Sequence, residues 1–344
     1  MTHAGPPRRW LREAVEPLAR GYDVALLDLD GVVYLGAQPI PGVSEALAKA
    51  RVFGMRLAFV TNNASRAPSD VAQHLRELGV DAAEDDVVTS SQAAARVVVD
   101  EVGAGASVLV TGSPALSDTV EAAGLRVVST ADDRPDAVVQ GFWSQLRHAD
   151  LAEATLAVRA GAFWVATNVD STLPSPRGLL PGNGALVGVV AATTGKKPVV
   201  AGKPELPLHA EGVRRTSAQN PLVVGDRLDT DIEGANAADT ASLLVLTGVT
   251  SPVDLLAAPV KHRPTYLGAD LAALLEPQPQ VEIEADAARC GGWRACRRDT
   301  AVDITGDGSP VDGLRALLAL VWSSSDAGAE CPGAAEALAR VGFG

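Results

Sequence analysis

The chain has 344 residues, a length that suggests about two domains, and 47% are apolar but only 4% aromatic, so its cores are expected to be mostly Val, Leu and Ala. A formal net charge of −13 excludes a general nucleic-acid binder, which needs a basic face, but not an anionic substrate held through a bound cation. No apolar run reaches the roughly 18 residues of a membrane span, so no membrane partner is expected.

The first segment, "MTHAGPPRRWLREAVEPLARG", lacks an apolar h-region and does not read as a secretory signal. Trp10, Leu11, Val15 and Leu18 stand at helical spacing and predict a short amphipathic helix. From 23 to 90, apolar runs alternate with helical patterns. "VALLDLD" reads as a strand. "PGVSEALAKARVFG" reads as a helix with Pro41 near its start and Gly54 past its end. "MRLAFVTNN" is a second strand, and "APSDVAQHLRELGV" a second helix with Ser69 as its cap. This βαβα order implies a parallel sheet with helices on both faces. The alternation continues through "SVLVTG", a helix from Ser113, "DAVVQG", "LAEATLAVRAG" and "FWVATN". A third series follows: "KKPVVAGKPE", a helix to about Arg215, "PLVVGDRLDTDI" and "ASLLVLTG".

Strands of the first and third series end in polar clusters, where an open parallel sheet binds ligands. The middle series carries fewer charged candidates. The expected fold class is therefore α/β: a doubly wound parallel-sheet core at 1–97 and 196–275, split by an inserted α/β cap at 98–195. "EPQPQ" at 276–280 reads as a linker. Beyond it, 281–344 forms a small α+β extension with an alternating "VEIEA", a strand at "TAVDI" and a helix from Ser309 and Pro310, where Asp312 gives a weak capping box. The extension is small for an independent domain. Cys290, Cys296 and Cys331 are odd in number and form no C-x-x-C pair, so neither a zinc site nor a disulfide framework is expected and a reducing cytosol is the default. "TTGKKP" lacks the first glycine of a P-loop, and "GAGASV" lacks the third glycine of a dinucleotide fingerprint.

Asp28 and Asp30 crowd two carboxylates onto one strand end, although Asp-Gly is also an ordinary turn. "VVGDRLDTDI" repeats the theme with Gly225, Asp226 and Asp231, and Asp231 also reads as an acid at a helix N-terminus. Carboxylates from two strand ends make an oxygen site for magnesium, which would let them stay ionised together. "FVTNN" offers Thr61, Asn62 and Asn63 as hydrogen-bond donors to phosphoryl oxygens, with an Asx turn as the other reading of Asn63. Lys203 in "VVAGKPE" is either a solvated loop lysine or a counter-charge for phosphate.

The four segments "DLDGVVY", "TNN", "GKPE" and "GDRLDTDI", in this order, resemble the haloacid dehalogenase superfamily, and specifically its subclass IIA, whose large α/β cap is inserted between the second and third motifs. That branch includes 4-nitrophenylphosphatases, phosphoglycolate and glycerol-3-phosphate phosphatases, and NagD-like and pyridoxal-phosphate phosphatases. The resemblance covers 22 to about 275 and implies a magnesium-dependent phosphatase. In it, Asp28 would be the nucleophile that forms an aspartyl-phosphate, and Asp30 the general acid and then base. The Asp28 carboxylate, the Asp30 backbone carbonyl and Asp226 would hold the metal with Asp231 in support, while Thr61, Asn62 and Lys203 would hold the phosphoryl group. The loop at 166–187 would select the leaving group through Asn168, Asp170, Leu173 and Arg177. Leu173, where the pyridoxal-phosphate branch has histidine, points to a small polyol or acid phosphate: glycerol 3-phosphate or phosphoglycolate. Capped relatives often pair through the cap. Two other readings remain at this point: a phosphotransferase or mutase of the same chemistry, and a regulatory protein acting through the C-terminal extension.

Overall fold

A computed structural model describes residues 10–173, 175, 177–298 and 301–343. The chain divides into two compact units, one of residues 1–57 with 219–344 and one of residues 58–218.

In the first unit, parallel strands lie in the order Tyr266–Gly268, Ala241–Val245, Pro221–Gly225, Val24–Leu27. Every residue of Val24–Leu27 is buried, as a strand covered on both faces requires. The helix Val43–Val52 follows, and Val43, Ala46, Leu47 and Ala50 form its buried stripe. It is entered through Gly42 and left through Gly54, both at positive φ.

The helix expected from Trp10 to Leu18 does not form. The chain is irregular there, with Leu11 at φ 46, Ala14 bridges to Gln278, and only Leu18–Gly21 makes a helical turn. Pro17 explains this, because it lacks an N–H and biases Glu16 away from the helical region. Trp10 and Leu11 are buried, whereas Val15 is 82% exposed, so the apolar residues do not share one face.

The C-terminal extension is an antiparallel meander of Val281–Ile283, Ala287–Cys290, Trp293–Arg297 and Val302–Thr305, with the helix Pro310–Asp326 packed on it. The strand expected at "TAVDI" is thus Val302–Thr305, and Thr300 lies outside the described residues. The extension has no core of its own. Leu314, Leu317, Leu318 and Trp322 share one apolar cluster with Ile232, Leu244, Leu255 and Leu267 of the parallel-sheet region. The segment at 276–280, read as a linker, is fastened down: Gln278 is buried, donates to the Ala273 carbonyl and accepts from Arg315. The Ser309 capping box does not form either, since the Asp312 carboxylate is taken by Arg315 at 2.6 Å.

In the second unit, Phe59–Thr61 pairs in parallel with Val87–Thr89. A separate parallel sheet has the order Val199–Val200, Phe163–Ala166, Ala137–Gln140, Ser107–Thr111, Arg126–Val128. Trp164, Val138, Val187 and Val190 build its core. The helix expected from Ser113 is Pro114–Ala122, and Ser113 caps it by accepting the Leu116 N–H. The helix Pro68–Glu77 instead starts from Ala67 with Pro68 at its first position, so Ser69 sits inside the first turn and caps nothing.

Candidate active site

In-register pairing of Val24–Leu27 with Pro221–Gly225 sets Leu27 beside Val224, and the Asp28 N–H donates to the Val224 carbonyl at 2.8 Å. Asp28 and Asp226 therefore leave neighbouring strand ends together. Asp231 arrives from a single wide π-helical turn, Leu228–Ile232, and its carboxylate accepts the Arg227 N–H at 3.1 Å. The carboxylate oxygens of Asp28, Asp226 and Asp231 lie within 4.8 Å of one another, with Asp226 and Asp231 buried and Asp28 half-buried. Three carboxylates this close, two of them out of water, repel strongly unless a cation joins them. Hard oxygen donors suit magnesium.

The backbone around these acids is shaped to let them approach. Gly31 has φ +89, and a Cβ there would lie 2.4 Å from Asp226 Oδ2. A Cβ on Gly225 would lie 2.2 Å from that of Asp231. The Val249 N–H donates to Asp226 Oδ2 at 2.6 Å, and Thr247 Oγ1 donates to the Gly31 carbonyl at 2.6 Å. Thr247 and Val249 were missed in the sequence, although "LTGVTS" is one more polar stretch at a strand end. Beside the cluster, burial pushes the Asp229 carboxyl up, but the hydrogen bonds and charge of Arg227 outweigh it and hold Asp229 below the usual carboxylate range. Gly31→Ala is expected to raise the magnesium concentration for half-maximal activity at least about tenfold, because the new methyl displaces Asp226; titrating activity against magnesium checks this.

Asp30 stands apart from the three. Its side chain is exposed, and among the described residues its carboxylate accepts only a long bond, 3.4 Å, from the Gly36 N–H. Leu29 between the two acids is buried.

In the second unit, Thr61 is buried at the end of Arg56–Thr61, and its hydroxyl oxygen accepts the Asn63 N–H at 3.1 Å. Asn62 clamps Lys203 reciprocally: Nδ2 donates to the Lys203 carbonyl at 3.1 Å, and the Lys203 N–H donates to Asn62 Oδ1 at 2.8 Å. Both ends of the Asn62 amide are thus engaged with the lysine backbone. Asn63 Oδ1 accepts from the N–H and hydroxyl of Ser65, the Asx-turn reading of that residue.

The loop residues fall into two groups. Asn168 is buried; its Nδ2 donates to the Asn62 carbonyl at 2.8 Å and its Oδ1 accepts the Asp170 N–H. Asp170 is half-buried. Leu173 and Arg177 are exposed, Leu173 in the small hairpin of Thr172–Leu173 with Leu180–Pro181. Asn183, fully buried and donating to the Asn168 carbonyl at 2.7 Å, went unnoticed because "PGNGA" reads as turn punctuation.

Comparison with known proteins shows the family. A haloacid dehalogenase-like hydrolase family model matches residues 25–126, a second model of the same kind matches 200–274, and a GCN5-related N-acetyltransferase-like domain model matches 290–343. The chain is 46% identical to a D-glycerol 3-phosphate phosphatase of Mycobacterium tuberculosis, over 90% of this chain and 88% of that one. It is 36% identical to an acid sugar phosphatase of Staphylococcus saprophyticus, over 75% of this chain and 98% of the other. Among solved structures, a glycerol phosphate phosphatase from Mycobacterium tuberculosis in complex with magnesium superimposes with a TM-score of 0.85 at 45% identity, covering 96% of this chain and all of that one. A p-nitrophenyl phosphatase from Archaeoglobus fulgidus gives 0.69 at 30% identity, covering 74% and 98%.

Proposed function

The chain belongs to the haloacid dehalogenase-like hydrolases, and we propose that this magnesium-dependent phosphoric monoester hydrolase cleaves glycerol 3-phosphate to glycerol and inorganic phosphate. The observation that carries the reading is the clustered trio of Asp28, Asp226 and Asp231 with an exposed acid, Asp30, just outside it. Identity with a D-glycerol 3-phosphate phosphatase along nearly the whole chain supports the substrate.

In this reading an Asp28 oxygen attacks phosphorus and an aspartyl-phosphate forms. Asp30 protonates the departing glycerol oxygen, then takes a proton from the water that hydrolyses the acyl phosphate. Splitting one displacement into two lowers each barrier, and the acid contributes about 10²–10⁴-fold. Asp28, the Asp30 carbonyl and Asp226 would hold Mg²⁺ with Asp231 in support, and the ion would supply charge neutralisation. Thr61 and Lys203 take phosphoryl oxygens, Asn63 shapes the turn beside them, and Asn62 holds Lys203 in place. Asp170, whose N–H donates to Asn168 Oδ1, meets the leaving group with Leu173 and Arg177. Among the described residues no helix is long and apolar enough to cross a membrane, and Cys290, Cys296 and Cys331 form no disulfide, which suits a cytosolic enzyme.

Phosphate release measured across glycerol 3-phosphate, phosphoglycolate, sugar phosphates and 4-nitrophenyl phosphate tests the substrate. Glycerol 3-phosphate is expected to have the highest kcat/KM, EDTA to abolish all turnover, and inorganic phosphate to be the phosphorus product even with added alcohol acceptors. A higher kcat/KM for phosphoglycolate, or transfer to an acceptor in place of water, overturns the assignment.

A further inference from the structure

Within the second unit a file of asparagine side chains runs from a helix start to the lysine. Asn183 opens the helix Asn183–Thr194, and its Nδ2 donates to the Asn168 carbonyl at 2.7 Å. Asn168, just past the strand Phe163–Ala166, donates from Nδ2 to the Asn62 carbonyl at 2.8 Å. The second lone pair of that carbonyl takes the Ser90 hydroxyl at 2.7 Å. Asn62 then clamps the Lys203 backbone from both sides. Asn183 and Asn168 are 1% and 5% exposed, and the bond between them is made away from water, where losing a partner is costly.

Glycines permit the contacts. A Cβ on Gly182 would lie 2.2 Å from the Asp170 carbonyl oxygen, and one on Gly184 2.2 Å from that of Val169. A Cβ on Gly202 would lie 2.5 Å from the Thr167 carbonyl oxygen and 2.6 Å from Asn62 Oδ1. Close by, the Gln140 side-chain amide, Thr167 Oγ1 and Asn183 Oδ1 are buried and bond nothing among the described residues.

We propose that Asn168 and Asn183 are positioning residues which act through Asn62 to set the place of Lys203. The proposal rests on the reading of Lys203 as a phosphate-binding residue. Lys203 meets the phosphoryl group that all substrates share. Disturbing the file therefore impairs every substrate equally, and it weakens inorganic phosphate, which has no leaving group, in the same measure. A loss of leaving-group contacts alone would fall on glycerol 3-phosphate only.

The experiment compares the wild type, Asn168→Ala, Asn183→Asp and the double variant. Asn183→Asp preserves size and places an acid favourably at the helix N-terminus, while it exchanges the donor that faces the Asn168 carbonyl for an acceptor. If Asn168→Ala fails to fold, Asn183→Asp carries the test alone. Each single variant is expected to lose about 10- to 100-fold in kcat/KM, by the same factor for glycerol 3-phosphate and 4-nitrophenyl phosphate, as misplacing a positioning group does. The calorimetric affinity for inorganic phosphate with magnesium present is expected to weaken in parallel. The double variant is expected to be within about twofold of Asn168→Ala, because both changes cut one chain of bonds. Losses that multiply, losses confined to glycerol 3-phosphate, or phosphate affinity equal to that of the wild type each overturn the proposal. Should the wild type cleave neither ester, the functional reading fails, and the phosphate affinities still decide the file's role.

Discussion

Asp28→Asn is expected to reduce the release of phosphate from both glycerol 3-phosphate and 4-nitrophenyl phosphate by at least about 10⁴-fold, the scale seen when an attacking side chain is removed. The amide has almost the shape of the carboxylate, and the Asp28 N–H keeps its bond to the Val224 carbonyl. What is lost is the nucleophilic oxygen and one charge from the trio with Asp226 and Asp231. That second loss gives an independent check. With EDTA present, the three carboxylates of the wild type repel, so the variant is expected to melt at a higher temperature than the wild type while being inactive. Asp30→Asn should behave differently. Glycerol leaves as a poor anion and needs a proton, so its hydrolysis should fall about 10²–10⁴-fold. 4-Nitrophenolate is stable enough to leave unprotonated and should lose much less in the first step. Substantial turnover by Asp28→Asn, or equal losses for the two esters in Asp30→Asn, would remove the assigned roles.

The acids were legible in the sequence because each follows an apolar run that could only be a buried parallel strand. Val24–Leu27 leads to Asp28 and Pro221–Gly225 to Asp226, and the pairing of those strands follows from the fold class. Residues whose role depends on backbone geometry were harder to see. Asn62 has a donor and an acceptor at one end, and only the structure shows both turned onto Lys203. Asn168 was expected at the leaving group, but it is buried and serves the backbone of Asn62. Gly31 looked like the second half of an Asp-Gly turn, whereas its missing Cβ is what admits Asp226. The N-terminal segment misled for a different reason: helical spacing over the nine residues from Trp10 to Leu18 is weak against one proline, and the tertiary bridge from Ala14 to Gln278 decided the matter.

Trp322→Ala is expected to destabilise the first unit by about 3–5 kcal/mol, the cost of emptying a large aromatic site, and to lower its melting temperature by roughly 10 °C. Trp322 lies in the C-terminal helix Pro310–Asp326, is fully buried, and donates from Nε1 to the Leu255 carbonyl at 2.9 Å. Trp10 meets it edge-on with centroids 5.2 Å apart, and the Arg263 guanidinium stands over both rings while it pairs with Asp326. The first and last parts of the chain therefore close one core with Leu244, Leu255 and Leu267 of the parallel-sheet region. A regulatory module that merely sat on the enzyme would alter turnover and leave the melting temperature alone. The shared core requires the opposite: at a temperature where Trp322→Ala is folded, its kcat/KM should equal that of the wild type. Deleting 281–344 uncovers the same apolar residues and should yield an aggregating chain. A soluble truncated enzyme with an unchanged melting temperature would show that the extension is not part of this core.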